Sequence, residues 1–398
     1  MNEKASGFPE KPCLRPQDPR FSSGPCKKFP GWNSARFDTR FLGRSHRAKN
    51  PKKRLSSAIE RSHALLNLPA NWKLGIVPGS DTGAFEIAMW SMLGPRPVVV
   101  LVWDSFSSDW ARDLDSLELL QLTVYEADYG DMPDLSRVDA DSDVVFVYNG
   151  TTSGVRLPNL DWLDAERTGL VFCDATSAAY AMPLDFTKLD VVTWSWQKVL
   201  GGEAAHGMLA LSPAAVERLE SYSPSRPLPK LFRLTSNGKL VEGIFEGATI
   251  NTPSMLAVED LHAALDWAER IGGLAALWQR TRDNFNCIDH WVKQTLWIDW
   301  LATDAATRSP TSMCLQIVDP VFAEMPKPEQ QAAINLMLEW LEQENCALDI
   351  GNYRSAPPGF RIWGGATVDT SDLAALWPWL DWAFANFKQV SQEQNQND

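Results

Sequence analysis

No apolar run in the 398-residue chain approaches the roughly 18 residues that a membrane span requires. Residues 1–20 are polar and Pro-rich and hold no apolar core, so they do not read as a secretory signal. Six cysteines are scattered as Cys13, Cys26, Cys173, Cys287, Cys314 and Cys346 without one CxxC pair, which suggests neither a zinc site nor a disulfide framework. No internal repeat is visible. These absences leave a reduced, cytoplasmic protein with no metal and no membrane association as the plain expectation.

Hydrophobic residues make up 44% of the chain and charged residues 22%, proportions ordinary for a globular protein. The length suffices for a large core and more than one domain. Charge is unevenly spread: residues 1–61 carry 15 Lys/Arg against 5 Asp/Glu, and the remainder carries 22 against 45. A basic segment could bind nucleic acid, but its aromatic residues are not interleaved at stacking intervals. A pI near 5.0 also opposes binding to a phosphate backbone. A pocket for a small anion is the better use of these cations, and no nucleic-acid partner is expected.

Short apolar runs at 73–77, 97–103, 122–126, 144–148, 170–173, 191–196 and 208–211 are rich in β-branched residues and continuous rather than alternating. Helical patterns such as 83–93 and 109–120 separate them. That alternation predicts an α/β fold: a large, mostly parallel seven-stranded sheet with helices on both faces. Ligands of such sheets sit at the carboxyl ends of strands. A Ser/Pro-rich linker at 221–230 precedes the segment 249–253 and a long helical region at 255–297. Strands at 313–318, 347–351 and 360–364, with helices at 329–343 and 371–387, predict a smaller α/β domain. Ten of the 18 tryptophans lie beyond residue 260, where they read as core and interface residues. Residues 391–398 read as a disordered polar tail.

Chemistry concentrates at three strand ends. Ser195-Trp196-Gln197-Lys198-Val199-Leu200-Gly201-Gly202 places an amine directly after a buried strand. Most lysines there reach for solvent, yet a desolvated amine of lowered pKa is what a Schiff-base lysine needs. Asp174 ends the preceding strand, 24 residues earlier. Alone it reads as a helix cap or turn residue; beside Lys198 it can face a pyridine nitrogen, as pyridoxal phosphate (PLP) requires. Gly79-Ser80-Asp81-Thr82-Gly83 joins a strand to a helix, where backbone N–H groups and the Ser80 and Thr82 hydroxyls can cradle a phosphate. Asp81 does not suit that cradle and is expected to cap the helix or point away.

Together these residues resemble the phosphoserine aminotransferase family, fold-type I PLP enzymes of the class V aminotransferase group, over almost the whole chain. Phe21-Ser22-Ser23-Gly24-Pro25 and Ser45-His46-Arg47 resemble the family's opening segments, and residues 79–83 its phosphate loop. The resemblance implies PLP held by Lys198, with Asp174 on its pyridine nitrogen and Trp110 stacked on its ring. It makes Asn149-Gly150-Thr151-Thr152-Ser153-Gly154 the turn whose threonine, Thr151 or Thr152, approaches the cofactor. Ser80, Asp81, Thr82 and Gln197 fall at the phosphate, as do Asn251 and Thr252 of the Asn251-Thr252-Pro253 segment, reaching from a neighbouring subunit. In-chain capping of the helix beginning near Met255 is the alternative use of that segment.

His46, Arg47, Arg354 and Arg361 match substrate-binding positions, with Arg361 on the α-carboxylate and the others on the distal anion. Tyr353 departs from the pattern, standing where many members have His. The implied reaction transfers the amino group of glutamate to 3-phosphohydroxypyruvate in serine biosynthesis, with 4-phosphohydroxy-L-threonine in pyridoxine biosynthesis as a further expected substrate. A serine– or alanine–glyoxylate aminotransferase and a non-catalytic PLP-fold binding protein are the competing expectations. The implied partners are a second copy of the chain, in a homodimer with shared active sites, and small-molecule substrates. The implied organisation is an N-terminal segment (1–29), a large PLP-binding domain (30–275), a small domain (276–390) and the tail.

Overall fold

The computed structural model describes residues 10–117, 119 and 121–395. Its large sheet contains β1 (Lys73–Pro78), β2 (Val98–Val102), β3 (Leu122–Glu126), β4 (Asp143–Val147), β5 (Val171–Asp174), β6 (Val191–Ser195) and β7 (His206–Leu211) in the order β1-β7-β6-β5-β4-β2-β3. All pairings are parallel except the two made by β7, which is antiparallel to both β1 and β6. The carboxyl ends of the other six strands therefore share one edge of the sheet. Successive residues alternate between two apolar clusters, Val144 and Phe146 entering one and Val145 and Val147 the other. Both faces are covered, which is why these strands read as continuous apolar runs.

Helices α1 (Lys49–Leu65), α2 (Ser80–Met92), α3 (Ser105–Ser116) and α4 (Pro213–Ser221) belong to this layer system. A short hairpin, β8 (Thr235–Ser236) and β9 (Lys239–Leu240), follows the linker. The expected helix at 255–297 is two, α5 (Met255–Ile271) and α6 (Gly273–Gln294), because Gly272 and Gly273 both take positive φ, 118° and 68°. The smaller sheet is an antiparallel meander of β10 (Ile298–Trp300), β11 (Ser312–Ile317) and β12 (Gly359–Trp363). It packs with α6 and α8 (Lys327–Gln343), and α9 (Thr370–Asn395) packs on both of those helices; the short α7 (Pro320–Ala323) follows β11.

Four expectations change. The helix expected from residue 109 starts at Ser105, because Asp104 and Ser107 form a reciprocal capping box. The strand expected at 347–351 is reduced to isolated bridges from Leu348 and Gly351, with Asp349 at φ 60° breaking the extended path. Residues 391–395 continue α9, since Gln and Glu are good helix formers and neither Gly nor Pro stops the helix there. The rest of the expected tail, 396–398, lies outside the described residues. The late tryptophans are largely spent inside the chain: Trp291 stacks on Trp377 at 4.9 Å and Trp297 on Phe384 at 4.3 Å, leaving little of them for an interface.

Candidate active site

The carboxyl edge of the large sheet encloses a cavity of about 260 Å³. Loops after β1, β2, β4, β5 and β6 all reach it, contributing Ser80, Asp81 and Thr82; Phe106 and Trp110; Asn149 and Thr151; Thr176 and Ser177; and Gln197 and Lys198. Gly24 and Pro25 of the N-terminal segment close one side, and Glu203 and Ala204, just before β7, another.

Lys198 is 7% exposed and its amine donates a hydrogen bond to the Ser23 carbonyl. Desolvation pushes this amine below the ordinary lysine value; the nearby Arg361 charge adds to that, while Asp174 and Asp104 oppose it. A Cβ at Gly24 would lie 2.5 Å from the Lys198 Nζ, and Gly24 has φ 153°, so a side chain is excluded there. Asp174 is buried at the end of β5. Its Oδ2 accepts from Trp110 Nε1 at 3.1 Å and its Oδ1 from the Thr176 N–H at 3.0 Å. Trp110 also packs against Phe85, ring centroids 4.9 Å apart.

The two threonines separate. Thr151 lines the cavity and its hydroxyl hydrogen-bonds that of Ser177. Thr152 instead accepts from the Ser105 N–H and hydroxyl at 3.0 and 2.9 Å, fixing the start of α3. Asp81 neither caps α2 nor points to solvent: Gly79 is the cap residue, and the Asp81 carboxyl is buried against Asp174. Burial first, and the Asp174 charge second, hold Asp81 well above the usual carboxylate range.

Besides Thr152, six expected residues do not line the cavity of their own chain. Arg47, Asn251, Thr252 and Arg354 are exposed, and His46 is half-buried with Nε2 lacking a hydrogen-bond partner among the described residues. Capping does not occupy Asn251 or Thr252, because the Ser254 side chain caps α5 by accepting from the Ala257 N–H. Arg361 lies near Lys198 with its guanidinium over the Tyr353 ring at 5.5 Å, and its Nε is buried without a partner among the described residues. Sequence reasoning assigned no role to Asp104, Thr176, Ser177 or Glu203. The available signals were the Asp104-to-Ser107 spacing of a capping box and the hydroxyl pair Thr176-Ser177, one residue beyond Asp174.

PLP requires an amine for its aldehyde carbon, a carboxylate for its pyridine nitrogen and donors around its phosphate. The cavity holds all three classes of group, and it leaves polar atoms such as Gln197 Oε1 and Thr176 Oγ1 buried and unpaired among the described residues. The donor set fits the cofactor.

No family model matches the chain. The phosphoserine aminotransferase of Methanosarcina mazei is 52% identical over 375 residues, covering 94% of this chain and 99% of that one. The enzyme of Methanosarcina barkeri gives the same identity and coverage. The chain belongs to the phosphoserine aminotransferase family. A putative phosphoserine aminotransferase of Mycobacterium leprae is 27% identical over 93% of the chain and 95% of its own length. Among solved structures, the phosphoserine aminotransferase of Cytophaga hutchinsonii superposes with a TM-score of 0.77 over 92% of this chain and 98% of that one, at 20% identity. The PLP-bound phosphoserine aminotransferase of Trichomonas vaginalis gives 0.73 over 91% and 99%, at 17% identity. These structural likenesses carry the fold-type I architecture that the family resemblance implied.

Proposed function

We propose that this chain is a PLP-dependent phosphoserine aminotransferase, moving the amino group of glutamate to 3-phosphohydroxypyruvate and releasing 2-oxoglutarate and phosphoserine. The observation that carries this reading is a buried, desolvated Lys198 amine and a buried Asp174 carboxyl on one cavity, in a member of this family. Bound PLP supplies an electron-withdrawing pyridinium ring that delocalises the charge left when a Cα proton departs.

The protein's own residues do the rest. Lys198 would hold the cofactor through Nζ, and its amine would take and return the proton at the substrate Cα. Its lowered basicity keeps a fraction of the amine neutral and able to accept that proton. Asp174 keeps a proton on the ring nitrogen, and the Trp110 and Thr176 N–H groups fix its carboxyl in place. Trp110, which lines the cavity, would lie against the cofactor ring. Ser80, Thr82, Gln197 and the first N–H groups of α2 bind the cofactor phosphate, and Thr151 binds beside the ring. Phe106, Pro25 and Trp110 exclude water from the cavity.

Arg361 takes the substrate α-carboxylate, which completes its unpaired Nε. His46, Arg47 and Arg354 take the distal phosphate or carboxylate. A homodimer accounts for the exposure of Arg47, Asn251 and Thr252: each completes the cavity of a partner subunit across a two-fold axis. The chain divides into an N-terminal segment (1–29), a large domain (30–275) and a small domain (276–390). Among the described residues no helix is long and apolar enough to cross a membrane. All six cysteines are free, which suits a reducing cytoplasm. 4-Phosphohydroxy-L-threonine presents the same pattern of amine, carboxylate and phosphate and is a second substrate to assay.

Purified protein reconstituted with PLP should develop a visible absorption band and convert glutamate with 3-phosphohydroxypyruvate. Turnover of alanine with glyoxylate in preference to that pair would transfer the reading to the glyoxylate-type enzymes.

A further inference from the structure

Asp81 and Asp174 present two carboxyl groups to one cavity, 6% and 4% exposed. Asp81 comes from the first turn of α2, and Asp174 from the end of β5. Asp174 has two N–H donors, Trp110 Nε1 and the Thr176 amide, and its cavity also holds the Lys198 amine. Asp81 has no N–H donor among the described residues. It meets only the hydroxyls of Thr176 and Thr193 and the Asp174 carboxyl itself. Its Oδ1 and both threonine hydroxyls are buried without a well-formed hydrogen bond among the described residues. Two adjacent carboxyls so far from water cannot both be ionised, and the charge belongs on the one with the better donors.

We propose that Asp81 is a positioning residue: a neutral carboxylic acid that donates its proton to Asp174, so that the pair carries one negative charge and Asp174 holds it. Burial and the Asp174 charge both push Asp81 toward that protonated form. The arrangement resolves a conflict in the sequence. A carboxylate in the first turn of α2 would repel the phosphate that the helix start attracts, whereas a neutral acid does not. It also gives Asp174 a third donor besides its two N–H groups, holding its carboxyl anionic and oriented toward the cavity. This inference deepens the reading that the cavity binds PLP and rests on it for its consequence, though not for the protonation state.

Infrared spectroscopy of the full-length protein at neutral pH, with and without PLP, tests it. Isotopically labelled aspartate should show a protonated-acid carbonyl band that Asp81→Asn removes. Asp104, the other buried carboxyl pushed up by desolvation, accounts for any band that remains. Asp174→Asn should shift the Asp81 band without removing it, because the acid then donates to an amide rather than a carboxylate. In equilibrium binding, Asp81→Ala should weaken PLP about tenfold through loss of a hydrogen bond to a charged group. Asp81→Asn, which keeps a neutral donor, should recover most of that loss. A wild-type spectrum with no acid band assignable to Asp81, or tighter PLP binding by Asp81→Asn than by the wild type, overturns the proposal. A wild-type protein that keeps the band but binds no PLP overturns the cofactor reading instead.

Discussion

The groups at the carboxyl edge of the sheet and those on the 46–47 and 251–252 segments differ in almost every physical respect. Lys198, Asp174, Asp81 and Thr151 are buried; Lys198 is hydrogen-bonded to Ser23, Asp174 to Trp110 and Thr176, and Thr151 to Ser177, and desolvation shifts Lys198 and Asp81. Arg47, Asn251 and Thr252 are exposed, and the cavity of their own chain does not include them. On the proposed function, the difference separates two tasks. Proton transfer needs a dry, rigid setting that one chain can build alone. Recognition of a polyanion needs several cations, which one chain cannot bury together without a large desolvation cost and which an interface can assemble on binding.

The comparison breaks first at Lys198. Lys198→Ala should abolish the visible band of the PLP-loaded protein and all turnover while the far-ultraviolet circular dichroism stays intact; a persisting band would remove Lys198 from its role. Asp174→Asn should still bind PLP but slow Cα deprotonation by roughly ten- to a hundredfold, the value of a charge-assisted hydrogen bond, as measured in single turnovers with glutamate. On the exposed side, Arg47→Ala should reduce turnover of phosphoserine about tenfold more than that of alanine, since only the former presents a distal anion. Equal losses on both donors would take Arg47 out of the substrate site.

A smaller effect sharpens the boundary between the two regions. His206, at the start of β7, accepts from the Ser254 N–H at 3.1 Å and so ties the 251–254 segment to the sheet edge. Desolvation lowers its pKa to about 4, so the folded protein keeps it neutral while the unfolded chain protonates below its ordinary value of 6.5. Stability should therefore fall as pH drops from 6.5 toward 4, by about 3 kcal/mol from this residue. His262, lowered to about 4 by burial, adds a similar amount. Denaturant unfolding at a series of pH values should show the slope, and His206→Gln should remove roughly half of it. An unchanged slope would mean that His206 does not hold this joint.

The buried region was the more legible in the sequence, because burial on both faces writes continuous apolar runs and strand ends then locate Lys198 and Asp174. What escaped depended on contacts between segments far apart in the chain. Asp81 reads as a cap in its own loop, and only the approach of β5 and β6 makes it a partner of Asp174. Thr151 and Thr152 are adjacent and alike, and only the packing of α3 against their turn separates them. The late tryptophans read as both core and interface, because local pattern does not distinguish an intrachain stack from a surface.

The division of labour between chains is tested most directly by mixing two inactive proteins, Lys198→Ala and the double variant Asn251→Ala/Thr252→Ala. In a heterodimer with shared sites, one site carries every lesion and the other none. Activity should return on subunit exchange, up to about a quarter of the wild-type value per total site for random reassortment. Heterodimers confirmed by mass measurement that remain inactive would contradict the account and return Asn251 and Thr252 to their own chain.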